Sequence, residues 1–231
     1  MGESVTGLEP EAVLRTIAVI ALKGGSGKTT LATHLALAAF LRGVDTLLVD
    51  IDPQLSAQQI LSARAHPGPA CIASTGAKLL SVQFAAVGLR KQLLIIDTAA
   101  GAIEDVSEAI VLANFAVLVV RPTLIDIAGL ARTLNIVRRL GKPYVVVVNQ
   151  APVPRETVEA PLVKRALRGL DYMKAPVAPV IVRQRSVYQV ALETGQSAEE
   201  MSDPAAAREI AALWEFIDAE VTATPETPPA L

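Results

Sequence analysis

Cysteine is almost missing from this chain: Cys71 is the single one in 231 residues. One thiol can build neither a disulfide framework nor a cysteine metal cluster within a chain, and such usage suits a reducing, cytosolic setting. Aromatic residues are only 3% of the total, which leaves little material for platforms that stack bases or sugars. Long apolar runs are lacking too. The most apolar window, Leu31–Leu41, carries His34 and is shorter than the roughly 20 residues a membrane-spanning helix needs. Residues 1–14 hold Glu3, Glu9 and Glu11, where a secretory leader would show a basic start and an apolar stretch. The expectation is a soluble protein, with no internal repeat and no low-complexity block.

What is present is a large apolar fraction, 52% hydrophobic, much of it alanine suited to tightly packed helices. The length fits one large domain. The formal net charge of -2 says little, but its distribution is uneven. From Arg121 to Arg185 there are twelve Lys/Arg against four Asp/Glu, while the remainder carries nine against nineteen. That polarity suits one face turned to a polyanion, and equally a solvated helical surface.

Short apolar, β-branched runs punctuate the chain: residues 16–21, 46–49, 93–96, 116–120 and 144–148. They read as buried strands, with a weaker candidate at 177–182 that Pro176 and Pro179 restrict to an edge or irregular strand. Helices are expected at 28–41 (ending near Gly43), 54–63, about 125–140, about 155–169 and about 204–221. The last places Ile210, Leu213, Trp214, Ile217 and Val221 on one face, a core stripe. The organisation expected is an N-terminal extension over 1–15, one domain over 16–221 and a proline-rich, disordered tail over 222–231. Strand–helix alternation with near-continuous apolar strands predicts an α/β fold, a mostly parallel twisted sheet with helices on both faces. Polar residues then gather at the strands' carboxyl ends, where such sheets bind ligands: Gly24, Asp50, Asp97, Arg121 and Asn149.

The first of these ends is Lys23-Gly24-Gly25-Ser26-Gly27-Lys28-Thr29-Thr30, between a strand and a helix. Glycines let backbone N–H groups turn toward phosphate oxygens, and the helix N-terminus adds partial positive charge. Lys28 can bridge β- and γ-phosphates and Thr29 can offer its hydroxyl to Mg²⁺. The loop predicts a single-domain P-loop fold that takes ATP with Mg²⁺. Neither His34, among apolar residues, nor His66, in a turn, fits a nucleophile–base pair. Catalysis would rest on positioning and electrostatics, with water as nucleophile.

Lys23 is not required by the ordinary phosphate loop. The pattern KGGxGK[ST] resembles the deviant Walker A loop of the ParA/MinD superfamily of dimerising ATPases. The resemblance implies that Lys23 reaches across a nucleotide sandwich dimer to the partner's ATP. Leu47–Gln54 (LLVDIDPQ) resembles the family's second motif, so that Asp52 would help position the attacking water while Asp50 sits behind Thr29 and the metal. Leu94–Thr98 (LIIDT) resembles the Walker B strand, with Asp97 holding a Mg²⁺-bound water. A helix N-cap is the alternative role for either strand-terminal aspartate. The family often continues Pro-Pro-Gly where this chain has Ala99-Ala100-Gly101. Asn149 resembles the residue that reads the adenine edge in ParA relatives, and a plain turn residue is the other reading.

The resemblance covers roughly residues 16–220 and is nearest to small ParA proteins of the ParF type, including the stretch Ile181–Tyr188. It implies ATP-dependent dimerisation, non-specific DNA binding and a cargo-bound partner protein of ParB/ParG type that stimulates slow hydrolysis. The job implied is segregation of a plasmid or chromosome, or positioning of another cargo over the nucleoid. Lys164, Arg165, Arg168, Arg183 and Arg185 are the candidate DNA contacts, each as readily part of a solvated face. A MinD-like division-site regulator would share the ATP site and end in a basic amphipathic helix; here the last helix bears Glu209, Glu215, Asp218 and Glu220. A P-loop small-molecule ligase would need a substrate pocket to which no residues can be assigned.

Overall fold

The computed structural model describes residues 13–101 and 103–224. Residues 1–12 of the extension expected over 1–15, and 225–231 of the tail expected over 222–231, lie outside the described residues. The chain runs β1 (Arg15–Ile20), α1 (Lys28–Leu41), β2 (Thr46–Asp50), α2 (Ser56–Ser62), β3 (Ala70–Ala73), α3 (Leu79–Gly88), β4 (Leu93–Asp97) and α4 (Ile103–Leu112). It continues with β5 (Phe115–Val120), α5 (Leu124–Arg139), β6 (Tyr144–Val148), α6 (Pro161–Tyr172), α7 (Val187–Glu193) and α8 (Pro204–Ala223). The six strands form one all-parallel sheet in the order β3-β2-β4-β1-β5-β6.

Alternate residues of each strand feed two cores, which is why the strands are apolar throughout. Ile17 and Val19 face α1, α7 and α8, whereas Ala18 and Ile20 face α3 to α6. The stripe expected on α8 is the seam of the first core: Ile210, Leu213, Trp214, Ile217 and Val221 are all buried. Asp203 caps that helix by accepting from the N–H groups of Ala205 and Ala206, with Pro204 at its first position.

Three expectations need correction. The run 177–182 lies beside β6 through isolated bridges rather than a ladder, since Pro176 and Pro179 have no N–H to give. The helix expected from 155 starts at Pro161; residues 155–158 fold instead into a tight turn in which Arg155 and Val158 exchange backbone bonds, with Glu156 and Thr157 at positive φ. The edge strand β3 was not expected at all. Four residues long, mostly exposed and with Ile72 its only β-branched residue, it lacks the β-branched run of its neighbours.

Strand register fixes the site. Asp97 pairs with Val19 on β1 and with Asp50 on β2. Both carboxylates therefore stand at the same sheet edge as the loop that leaves β1.

Candidate nucleotide site

The loop between β1 and α1 turns on two left-handed glycines, Gly25 at φ 75 and Gly27 at φ 86. Gly27 is the N-cap residue of α1, and no side chain caps that helix. The N–H groups of its first turn are thus left for an anion, which suits phosphate. The loop is pinned from below: Asn149, at the end of β6, donates through Nδ2 to the Ser26 carbonyl at 2.8 Å. Gln150 adds a bond to the Gly25 carbonyl at 3.3 Å. Gly24 and Gly25 are exposed, Thr29 and Thr30 half-buried.

The two lysines differ. Lys28 is buried, and burial lowers its pKa against the opposing pull of Asp97 and then Asp52. Lys23 is exposed and turned to the far side of the loop, where its Nζ pairs with Asp126 in the first turn of α5. Arg121, which follows β5, grips the same carboxylate through Nε at 2.5 Å. Burial pushes Asp126 upward, but the two cations more than offset it and its pKa is lowered. Sequence reasoning missed Asp126 altogether and noted Arg121 only as a polar strand end.

The aspartates also divide. Asp50 accepts from the N–H groups of Asp52 (3.0 Å), Ala57 (2.9 Å) and Gln58 (3.2 Å), so both its oxygens are committed to the β2–α2 turn. These bonds make Asp50 a cap for the N-terminus of α2, the alternative role open to a strand-terminal aspartate. Burial nevertheless raises its pKa, with those backbone bonds acting the other way. Asp97 is fully buried and neither of its oxygens has a well-formed hydrogen bond. Burial pushes its pKa up to about 7, opposed first by the nearby Thr29 hydroxyl. Asp52 is half-buried in the turn after β2, near Lys28. Its Oδ1 accepts from the Gln54 N–H at 2.9 Å.

An orphaned buried carboxylate beside a lysine and a threonine hydroxyl fits a divalent cation. No group of three or more His, Cys, Asp or Glu able to hold a metal occurs among the described residues. Thr29 and Asp97 would therefore hold Mg²⁺ together with phosphate oxygens and water.

A cleft of about 120 Å³ opens beside α1, bounded by Thr30, His34, Asn149, Gln184, Arg185 and Tyr188. A larger and mainly apolar one, about 340 Å³, lies beyond Lys23 and is walled by Ser26, Gly101, Ile103, Ile125 and Asp126. The first borders the phosphate loop on the side of Asn149, the second on the side of Lys23 and its partner Asp126. Asn149 is itself buried, and its donor is engaged by the loop rather than offered to that cleft.

The basic candidates separate as well. Lys164, Arg165 and Arg168 stand exposed on α6 with no ion pair among the described residues. Arg183 instead forms a two-bond fork on Glu159, at 3.0 and 2.8 Å. Arg185 is held by Glu209 at 2.8 and 3.1 Å. Both guanidinium groups are half-buried and paired within the chain, unlike the three on α6. No described helix is long and apolar enough to cross a membrane.

The fold superposes on apo McdA of Cyanothece with a TM-score of 0.75, at 17% identity, covering 90% of this chain and 100% of that one. It superposes on the cell division ATPase MinD of Pyrococcus furiosus with a TM-score of 0.71, at 20% identity, covering 89% and 98%. A curated relative, "Putative replication protein A" of Rhizobium rhizogenes, is 45% identical over 51 residues, 22% of this chain. That match spans only 13% of the relative's length. The family described as CobQ/CobB/MinD/ParA nucleotide binding domain matches residues 17–196, which take in the phosphate loop and all the strand-end aspartates, and the chain belongs to that family.

Proposed function

We propose that this protein is a ParA-like partition ATPase that dimerises on ATP, binds DNA without sequence preference and moves a plasmid, chromosome or other cargo. The observation that carries this reading is the division of labour between the loop's lysines: Lys28 is buried under the phosphate seat while Lys23 faces outward. A buried lysine serves its own subunit's nucleotide. An exposed one at the loop's rim, once it leaves Asp126, can neutralise charge on a partner's triphosphate.

Gly24, Gly25, Ser26 and Gly27 with the N–H groups of Thr29 and Thr30 wrap the phosphates. Asp52 orients water for attack on the γ-phosphate. Thr29 and Asp97 would hold Mg²⁺, which would supply charge neutralisation to the phosphates. Hydrolysis then gives ADP and phosphate and releases the dimer, with a ParB/ParG-type partner setting its pace.

The exposed stripe Lys164, Arg165 and Arg168 on α6 supports DNA as the surface bound. Dimerisation doubles that stripe, so a weak monomer contact becomes an effective one. The acidic residues of α8, Glu209, Glu215, Asp218 and Glu220, count against an anionic lipid surface as the alternative.

The test is DNA binding by the wild type and by Lys23→Ala with ATP, ADP and no nucleotide, across a salt series. Binding that needs ATP, falls steeply with salt and is lost in Lys23→Ala supports the reading. Lys28→Ala should lose ATP binding outright, whereas Lys23→Ala should bind ATP and fail to dimerise. Equal DNA binding in all nucleotide states would sink the switch. Sedimentation with anionic vesicles but not with DNA would replace it by the membrane-associated reading.

A further inference from the structure

Asp126 is a buried carboxylate with two cations on it. Its side chain is 3% exposed, and it pairs with Lys23 and with Arg121 at once. Thr123 caps the helix that carries it, accepting from the Asp126 N–H, so the carboxylate sits rigidly at the start of α5. Arg121 reaches the loop from the other direction: a Cβ built on Gly25 would lie 3.7 Å from Arg121 Nη1. The guanidinium thus fills the space between Asp126 and the phosphate loop.

This arrangement bears on how Lys23 is released. Removing one partner from a buried pair leaves a desolvated charge and is strongly unfavourable. Were Lys23 the only cation on Asp126, its departure toward phosphate would expose that penalty in full. With Arg121 already engaged, the carboxylate stays neutralised when Lys23 leaves. Arg121 keeps its grip through Nε at 2.5 Å and Nη2 at 3.4 Å.

We propose that Asp126 and Arg121 are positioning residues for Lys23: Asp126 holds the lysine in the nucleotide-free subunit, and Arg121 takes over the carboxylate when the lysine turns to a partner's nucleotide. The proposal rests on the reading of Lys23 as acting in trans. Asp126 then opposes dimerisation and Arg121 favours it, although the two side chains are bonded to each other.

The experiment measures the dimer dissociation constant at saturating ATP by analytical ultracentrifugation for wild type, Lys23→Ala, Asp126→Asn, Arg121→Gln and the double variant. Asp126→Asn is expected to tighten the dimer severalfold, because Lys23 is no longer held. Arg121→Gln is expected to weaken it about tenfold, since Lys23 alone then neutralises Asp126. The double variant is expected to return to within about threefold of wild type, because neither the holding charge nor its counter-charge remains. Arg121→Lys, which keeps the counter-charge, should rescue. A purely structural role for the pair would weaken the dimer in both single variants and again in the double one, and that outcome overturns the proposal. So does a loss of monomer ATP affinity in Arg121→Gln that the double variant fails to restore, which would place Arg121 on phosphate. If wild type does not dimerise with ATP, or Lys23→Ala dimerises normally, the trans reading itself has failed. If both behave as proposed and the Asp126 and Arg121 variants match wild type, only the positioning role falls. A single variant that does not fold is replaced by Asp126→Ser or Arg121→Met, which remove the same charge: a severalfold tighter dimer in the first and an about tenfold weaker one in the second support the proposal, and the opposite sign in either overturns it.

Discussion

The amide of Asn149 donates to the carbonyl of Ser26 at 2.8 Å, tying the end of β6 to the phosphate loop that leaves β1. The bond is buried and crosses the strand order, since β5 lies between β6 and β1. It fixes the height at which the loop's N–H groups stand above the sheet. Asn149→Ala leaves a carbonyl unpaired and should lower stability by about 1–2 kcal/mol. Nucleotide affinity should fall about tenfold, and by the same factor for ATP and GTP, because the loop meets phosphates common to both. Titration with fluorescent analogues of each nucleotide checks this. A loss confined to ATP would instead assign the amide to the adenine edge, as the family resemblance implies.

Gly27 and Gly43 share a left-handed backbone but not an environment. A Cβ at Gly27 would stand 2.4 Å from Asn149 Nδ2 and 3.1 Å from Gln150 Nε2. At Gly43, just past the end of α1, a Cβ would meet nothing within 4 Å. Both substitutions to alanine carry the left-handed penalty, about 1–2 kcal/mol. Only Gly27→Ala also pushes apart the loop and its support, so only it should lose nucleotide binding, by tenfold or more. Equal binding losses in the two variants would mean that backbone strain, not the contact with Asn149, governs the loop.

How much of this was legible follows from how local each feature is. The phosphate loop is written in consecutive residues: glycines where the backbone must turn, a lysine at the start of α1, a strand of β-branched residues before it. The parallel sheet was legible for the same reason, since Ile17 to Ile20 and Val145 to Val148 are apolar on both faces. What was not legible is what depends on partners far along the chain. Arg183 and Arg185 were visible as charges, but Glu159 and Glu209, which neutralise them, lie 24 residues away on other segments. The Lys23–Asp126–Arg121 cluster joins two strand ends that only the fold brings together. Asp50 was read as a neighbour of the metal because it ends a strand at the right place; the turn after it carries the α2 N–H groups back onto its oxygens. A cap was open as the alternative role for Asp50, but its donors, the N–H groups of Ala57 and Gln58, lie seven and eight residues on, and only the folded turn brings them to it.

Asp97 is a buried charge without a hydrogen bond, a standing penalty that a cation would remove. Replacing it with asparagine deletes the charge and keeps the shape. The nucleotide-free protein should become more stable at pH 8, by about 1–3 kcal/mol, the usual penalty for an unsatisfied buried group. Binding should suffer in the opposite sense: the rise in melting temperature that Mg²⁺ with ATP gives the wild type should shrink to that of ATP with EDTA. Thermal melts of both proteins under the three conditions test it. An Asp97→Asn protein that melts no higher than wild type without ligand, or that keeps the full Mg²⁺ increment, would show that the carboxylate is paired by something other than the metal.

His34 gives the fold a pH dependence of its own. It is fully buried on α1 between α7 and the turn at Ser197–Ala198. Its Nδ1 accepts from the Ala198 N–H at 3.3 Å, so the proton is on Nε2, which donates to the Tyr188 carbonyl at 3.2 Å. Burial lowers its pKa from the ordinary 6.5 to about 4. The unfolded chain therefore takes up a proton below 6.5 that the folded protein refuses until about 4, so stability is present above that window and lost through it. The slope is about 1.4 kcal/mol per pH unit, or about 3 kcal/mol in all. Asp97 acts in the other direction over much of the same range, because its folded pKa of about 7 lies above the ordinary 3.8 and the folded protein gains the proton first. The measured curve for the wild type is thus flatter than either group alone would give, and a difference is needed. His34→Gln keeps a polar side chain that can serve the Ala198 N–H and the Tyr188 carbonyl but cannot titrate. Urea midpoints at pH 7, 6 and 5 should show the variant gaining on the wild type by about 1.4 kcal/mol for each unit below 6.5. Parallel curves for the two proteins would mean that His34 is protonated in the fold and that water or a carboxylate reaches it.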